Sequence, residues 1–279
     1  MNEPLITVVI PCFNHGRFVA EALASVRDQT WPAWEVVVID DGSTDDSAAR
    51  IEALLRELGD PRARLLRQDN RGLPSARNAG IAAGSGEFFV PLDADDRLRP
   101  RMLEACVAPL LRQPGLGFAY GHMQTFGEAE RVVRYPPYNM HRLLDENQVT
   151  VSAVVRTAAW RAVGGYKAAM VHGAEDWEFW ISCAECGWHG VRVDELVFEY
   201  RRQGPSMWTQ TARKLDLIRA QIAELHPELY STTGRARVRA EWHSRFDPHA
   251  KDSWYARAAG LLPTPLRRAA ETLYRRYWL

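Results

Sequence analysis

The chain predicts an α/β fold, a mostly parallel sheet with helices on both faces, followed by a C-terminal helical extension. Three observations carry this. As far as Leu111, short β-branched and aromatic runs alternate with segments of helical periodicity. The polar clusters Cys12 to Arg17, Asp40 to Asp45, Asn70 to Pro74 and Asp93 to Asp96 each follow such a run, at the carboxyl edge where parallel sheets bind ligands. Beyond Gln203-Gly-Pro-Ser the texture is helical only.

Leu5 to Ile10 is a continuous strand-like run stopped by Pro11, and Arg17 to Arg27 repeats apolar residues at helical spacing. The pattern recurs with a strand at Trp34 to Ile39 and a helix from Asp46 to Leu58, for which Ser43 or Thr44 is the expected N-cap. A strand at Arg64 to Arg67 precedes an alanine-rich helix at Ser75 to Ala83, and Phe88 to Leu92 reads as a buried strand. A helix at Arg99 to Leu111 and a strand at Gly117 to Tyr120 follow; residues 122–148 read as irregular. Val151 to Arg156 is a strand, Thr157 to Val163 a helix ended by Gly164-Gly165, Ala174 to Cys186 a helix, and Val191 and Leu196 to Arg202 the last strands. Helices are expected at Gln210 to Leu225, Arg235 to Phe246, Ser253 to Ala259 and Pro265 to Tyr277. The expected division is a catalytic domain over 1–206 and a helical region over 207–279.

With 35 basic and 35 acidic residues there is no overall field to recruit nucleic acid, so recognition must be local. Four scattered cysteines do not make a disulfide framework, and a reducing compartment is the simpler setting. The opening Met-Asn-Glu-Pro lacks the basic and apolar regions of an export signal, and no window reaches 18 uninterrupted apolar residues, so neither export nor a membrane span is expected. The expected location is cytoplasmic. Neither GxGxxG nor GxxxxGK occurs, which disfavours a nicotinamide or ATP site.

The chemistry concentrates at Asp93-Ala94-Asp95-Asp96. Three carboxylates in four residues at a strand end repel one another unless something positive sits among them, and Mg²⁺ or Mn²⁺ suits that demand. In an extended chain Asp93 and Asp95 point the same way, leaving one for a sugar hydroxyl and one for a cation.

Five segments in this order resemble the family 2 glycosyltransferases of GT-A fold: Val8-Val-Ile-Pro-Cys-Phe-Asn14; Glu35-Val-Val-Val-Ile-Asp-Asp-Gly-Ser-Thr-Asp45; Asn70-Arg-Gly-Leu-Pro-Ser-Ala-Arg-Asn-Ala-Gly80; Asp93 to Asp96; and Gly164-Gly-Tyr166 with Gly173-Ala-Glu-Asp-Trp-Glu178. They cover roughly residues 4–206. The resemblance implies an inverting, metal-dependent transfer of one sugar from a nucleoside-diphosphate donor, UDP-linked by expectation, to a glycan, lipid-linked or other hydroxyl acceptor, in bacterial surface-glycan or glycoconjugate assembly. It places Pro11, Phe13, Asn14, Asp40, Asp41, Arg77, Asp93 and Ala94 at the nucleotide sugar, with Asp93 on the ribose and Arg77 facing the base or diphosphate. Asp95 becomes the metal ligand and Asp176 the base, with Glu175 as runner-up. A carboxylate at a helix N-terminus is expected to stay ionised near neutral pH.

Two departures matter. Similar enzymes have Tyr-Arg-x-His followed by Ser, whereas this chain has Tyr200-Arg-Arg-Gln203-Gly-Pro-Ser206, and Gln203 is a poorer metal ligand. The Gln-x-x-Arg-Trp signature of processive synthases is missing, which implies single-sugar transfer. His172, Trp177, Gln203 and Ser206 are the further candidates for acceptor or diphosphate contact; Tyr138, Trp177 and Trp180 are weighed as sugar-stacking rings against a place in the core. Cys183 and Cys186 read as two buried thiols on one helix face. A sugar-nucleotide pyrophosphorylase and a non-catalytic glycan-assembly protein are the rival functions. From Arg235 onward ten basic residues face four acidic ones among Trp and Tyr, a texture that fits either an aromatic stripe packed on the core or peripheral contact with an anionic membrane.

Overall fold

The structure, a computed structural model, describes residues 3–203 and 214–246. The chain divides into two compact units, Met1–Pro227 and Glu228–Leu279.

The first unit is built on β1 (Ile6–Cys12), β2 (Trp34–Asp41), β3 (Ala63–Gln68) and β4 (Phe88–Pro91), all parallel, with α1 (Val19–Arg27), α2 (Ser47–Leu58) and α3 (Leu73–Ala83) between them. β1, β2 and β4 are buried along their whole length because β1 lies between the other two, pairing Val8 with Val36 and Val90. Continuous apolar runs are what a doubly covered strand needs. α3 lies so close to the sheet that a Cβ at Gly80 would meet Val9 and Ile39 at 2.4 Å.

Beyond β4 the sheet changes character. β5 (Arg97–Leu98), α4 (Met102–Arg112), β6 (Leu116–Gly127), β7 (Arg131–Val133), α5 (Met140–Leu143), β8 (Val154–Arg156), α6 (Thr157–Val163), α7 (Glu175–Glu185) and β9 (His189–Arg202) complete a sheet of order β3-β2-β1-β4-β8-β6-β9-β5, with β7 on β6. The parallel expectation holds for the first four strands, while four of the eight pairings in the whole sheet are antiparallel. A direct turn joins β6 to β7, and only antiparallel strands permit that.

Residues 122–148, expected to be irregular, hold the end of β6, β7 and α5. Register shifts between Leu116 and Phe118 and around Tyr120 to Met123 break the two-residue period by which a strand is read. In β9 the Asp194-Glu195 pair interrupts the apolar pattern in the same way, so one strand reads as two. Of the cysteines, Cys12, Cys106 and Cys183 are buried and Cys186 is exposed, not a second buried thiol, because it lies just past the end of α7.

α8 (Leu215–Leu225) follows, burying Ile218 and Ile222, and ends at His226-Pro227. α9 (Pro227–Tyr230) and α10 (Thr232–Phe246) come next. The expected helices at 253–259 and 265–277 lie outside the described residues, as do Ser206 and most of the basic aromatic tail. Among the described residues no helix is long and apolar enough to cross a membrane.

Candidate active site

The acids after β4 are arranged by a turn, not by an extended chain: the Asp96 amide donates to the Asp93 carbonyl at 3.0 Å. Each carboxylate then meets a different fate. Asp93 accepts from Arg77 Nη2 at 2.7 Å. Asp96 is buried, accepts from the Arg201 amide at 2.8 Å through Oδ1, and leaves Oδ2 without a hydrogen-bond partner. Burial, then Asp93 and Asp95, push its carboxyl well above the usual range, so its neutral form is favoured. Asp95 is half-buried; burial, then the charge of Asp93, raises its carboxyl too, with His15 and Arg201 in partial opposition.

The Gln203 amide lies 3.3 Å from Asp95 Oδ2, so the residue standing where similar enzymes have histidine does reach the acid turn. Among the described residues no three His, Cys, Asp or Glu side chains are grouped to enclose an ion. A cation here would take Asp95, with Asp93 and the Gln203 carbonyl in support, and its remaining positions would fall to water or ligand oxygens. The repulsion between Asp93 and Asp95, only partly offset by His15 and Arg201, fits such an ion.

Arg77 lies at the centre. Its side chain is 1% exposed, and its guanidinium bridges Asp93 and Glu175, joining the end of β4 to the first turn of α7. Burial would discharge it, yet the two carboxylates raise its pKa further. Arg77 therefore braces the two groups of acids against one another.

The same brace separates the two candidate bases. Glu175 is buried on Arg77, whereas Asp176 is half-buried and accepts from Asn147 Nδ2 at 2.9 Å and from the Trp177 amide at 2.8 Å. Burial, reinforced by Glu175 and opposed by Arg77 and Asn147, pushes its carboxyl up to about 7. The expectation that the helix N-terminus keeps it ionised is corrected, because desolvation and the adjacent carboxylate outweigh the helix-end field. Trp177 is buried, with its Nε1 on the Leu143 carbonyl at 2.7 Å, and Tyr138 and Trp180 are buried too; these rings belong to the core. His172 is exposed on the loop before α7.

On the other side, Asp41 is spoken for: it accepts from Gln68, from the Arg71 amide and from the Gly72 amide at 2.7 to 3.0 Å, which shapes the loop before α3. Asp40 is buried and, among the described residues, accepts only from the Ser43 amide, at 3.2 Å, which leaves it the freer of the pair. Asn14, at φ +56°, ties its loop to the next by accepting from the Thr44 amide and donating to the Thr44 hydroxyl. Ser43, receiving the Asn14 amide, and Thr44 thus serve this loop junction in place of the expected cap on α2. Pro11 is buried in β1, Ala94 is a core residue with only its backbone to offer, and Phe13 is 44% exposed.

Four further residues shape the site beyond the candidates named from the sequence. Asn147 lies in the segment read as irregular. Arg201 donates to the Asp95 carbonyl and to Glu21, fastening the acid turn to β9 and α1. Asn78 accepts from Trp160 and the Tyr166 amide and donates to the Tyr166 carbonyl, fixing the turn after Gly164 and Gly165, both at positive φ. Tyr166 lies with its ring 5.7 Å from the Arg77 guanidinium. Asn78 and Tyr166 lie in matching segments and so carried a usable signal.

The family model described as glycosyl transferase family 2 matches residues 7–163, which contain Asp40, Asp93 and Asp95 and end before α7. Glycosyltransferase GlyG of Streptococcus pneumoniae serotype 4 is 37% identical over 105 residues, 37% of this chain and 34% of that protein. Chondroitin synthase of Escherichia coli is 25% identical over 188 residues, 66% of this chain and 27% of that protein. The matches thus span about a third or less of these relatives. Among solved structures, Staphylococcus aureus TarS 1-349 in complex with UDP-GlcNAc superposes with a TM-score of 0.65 at 19% identity, covering 97% of this chain and 87% of that one. A mannosyltransferase of Pyrobaculum calidifontis in complex with GDP-Man and Mn²⁺ gives 0.60 at 19%, covering 99% and 88%. These likenesses show the GT-A fold.

Proposed function

The chain belongs to glycosyl transferase family 2, and from that premise we propose that it moves one sugar from a nucleoside-diphosphate donor, UDP-linked in our reading, to an acceptor hydroxyl with inversion. The observation that carries the proposal is the Arg77 brace, which brings the acids after β4 and the acids opening α7 into one constellation while leaving Asp176 only partly buried.

The donor lies over the ends of β1, β2 and β4, with Asp40 at the base or ribose, Asp93 at the ribose and Phe13 at the rim. Asp95 and Gln203 would hold Mn²⁺ or Mg²⁺, which when bound offsets the charge of the diphosphate and of the departing nucleotide. The acceptor approaches from the α7 side. Its oxygen bonds to the anomeric carbon as the bond from that carbon to the diphosphate oxygen breaks, and its proton passes to Asp176. A carboxyl of pKa about 7 suits a base that must take a proton at neutral pH. Neighbours with bound UDP-GlcNAc and GDP-Man support the donor class. Glycan assembly is the proposed setting, and residues 207–279 are proposed to serve acceptor, membrane-surface or oligomer contacts.

A panel of nucleotide sugars, screened by thermal shift with Mn²⁺ or Mg²⁺ and then by transfer to glycan and lipid-linked acceptors, tests this. At least one donor should raise the melting point and release its nucleoside diphosphate. Absence of binding by every UDP- and GDP-sugar would contradict the reading.

A further inference from the structure

α7 is held at both ends. Its first turn carries Asp176, and two residues later Glu178 is fully buried with one carboxylate oxygen, Oε2, lacking a hydrogen-bond partner. The other oxygen accepts from the Ser182 hydroxyl at 2.6 Å and lies 3.2 Å from His226 Nε2. His226 Nδ1 lies 2.7 Å from Glu185 at the far end of the helix. A single buried imidazole thus spans α7 from its first turn to its last.

His226 stands where α8 stops, immediately before Pro227, which cannot continue a helix. α8 is fastened at two further points. Arg219 donates to the Asp145 carbonyl at 3.2 Å, two residues from the Asn147 that binds Asp176, and Gln221 donates to the Ala169 carbonyl at 2.6 Å, in the loop leading to α7. Each contact bears on a segment that sets where the Asp176 carboxylate lies.

We propose that His226 is a positioning residue for glycosyl transfer: bridging Glu178 and Glu185, it locks the helix that presents Asp176, so that α8 is part of the catalytic frame. This deepens the transferase reading and rests on it. The charges facing His226 are Glu178 and Glu185, both from α7; Cys183, buried on the same helix, has its thiol pushed up and stays neutral. Burial works against the imidazolium, but the two glutamates more than offset it and raise its pKa. A raised folded value means that the stabilisation is complete below about 6.5, the unfolded value, and is lost as pH rises through the folded one. Above that point Glu178, already short of one hydrogen-bond partner among the described residues, would lose the charge-assisted hydrogen bond from His226.

The test uses the full chain with His226→Gln, Glu178→Gln and the double variant, measuring kcat, donor KM and melting point from pH 6 to 9. His226→Gln should lower kcat by roughly tenfold, the scale of a slightly misplaced catalytic group, with donor KM unchanged. It should also abolish the wild-type loss of melting temperature on the alkaline side. Adding Glu178→Gln removes the carboxyl left without that hydrogen bond and should restore kcat to within about threefold of wild type, a coupling that a general loss of packing would not show. Wild-type kcat in His226→Gln, or a double variant as impaired as that single one, would overturn the proposal. The transferase reading is judged separately by Asp176→Asn, which should lose turnover while the alkaline melting profile set by His226 persists.

Discussion

The two halves of the sheet place their acids under opposite conditions. In the parallel half three carboxylates are tied to the protein: Asp41 takes three protein hydrogens, Asp40 takes one, and Asp93 has Arg77. In the mixed half Asp176 takes two, from Asn147 and the Trp177 amide, but burial and the adjacent Glu175 outweigh them. Acids tied to loop amides or to an arginine hold those segments in shape, and one desolvated beside a second carboxylate is ready to take a proton. In the proposed function the first half binds and the second carries the chemistry.

The strongest way to break this contrast is Asp176→Asn, which should reduce turnover by about 10²- to 10⁴-fold, as loss of a general base does, while nucleotide-sugar binding by thermal shift is retained. Because its folded pKa is raised, Asp176 costs stability as pH climbs from about 4 to about 7, the reverse of a salt-bridged aspartate. The same variant should therefore melt a few degrees higher at pH 8 than wild type. Replacing Arg77 by Met should be the next largest change, on the order of 3–5 kcal/mol of stability in denaturant melts, since it strands Asp93 and Glu175 without their cation. Asp95→Ala should leave the melting point near wild type but lower turnover about a hundredfold, as loss of an electrostatic stabiliser does; turnover near wild type would remove Asp95 from the site.

The smallest effects sharpen the comparison by sign. Asn147→Ala removes a donor that favours ionised Asp176 and should move the apparent pKa in the rate profile upward. Glu175→Gln removes a repelling charge and should move it downward, while leaving Asp176 able to act. If Glu175→Gln alone abolished transfer, the two acids would exchange roles.

The two halves also differ in how far their residues announce them. β1, β2 and β4 could be read because doubly covered strands are written as unbroken apolar runs, and Asp93, Asp95 and Asp176 stood out as candidates because they lie just after β4 and at the start of α7. β6 and β9 could not be read whole, since bulges and the Asp194-Glu195 pair disturb the alternation. Arg77 lay in a recognised segment, but only the fold reveals that Glu175, 98 positions along the chain, completes its bridge. Asn147 and His226 act through partners 29 and 48 positions away, and no local pattern marks either. Residues whose work is to compensate a distant charge become visible only after the chain has brought that charge to them.

The account turns on Asp176 as a base poised near neutrality, and the pH dependence of kcat/KM for the wild-type chain tests it most directly. The rate should rise through an ionisation near pH 7 as Asp176 loses its proton, and the residual rate of Asp176→Asn should lack that limb. A wild-type profile that is flat from pH 5 to 9, or a limb near 7 that survives in Asp176→Asn, would contradict it.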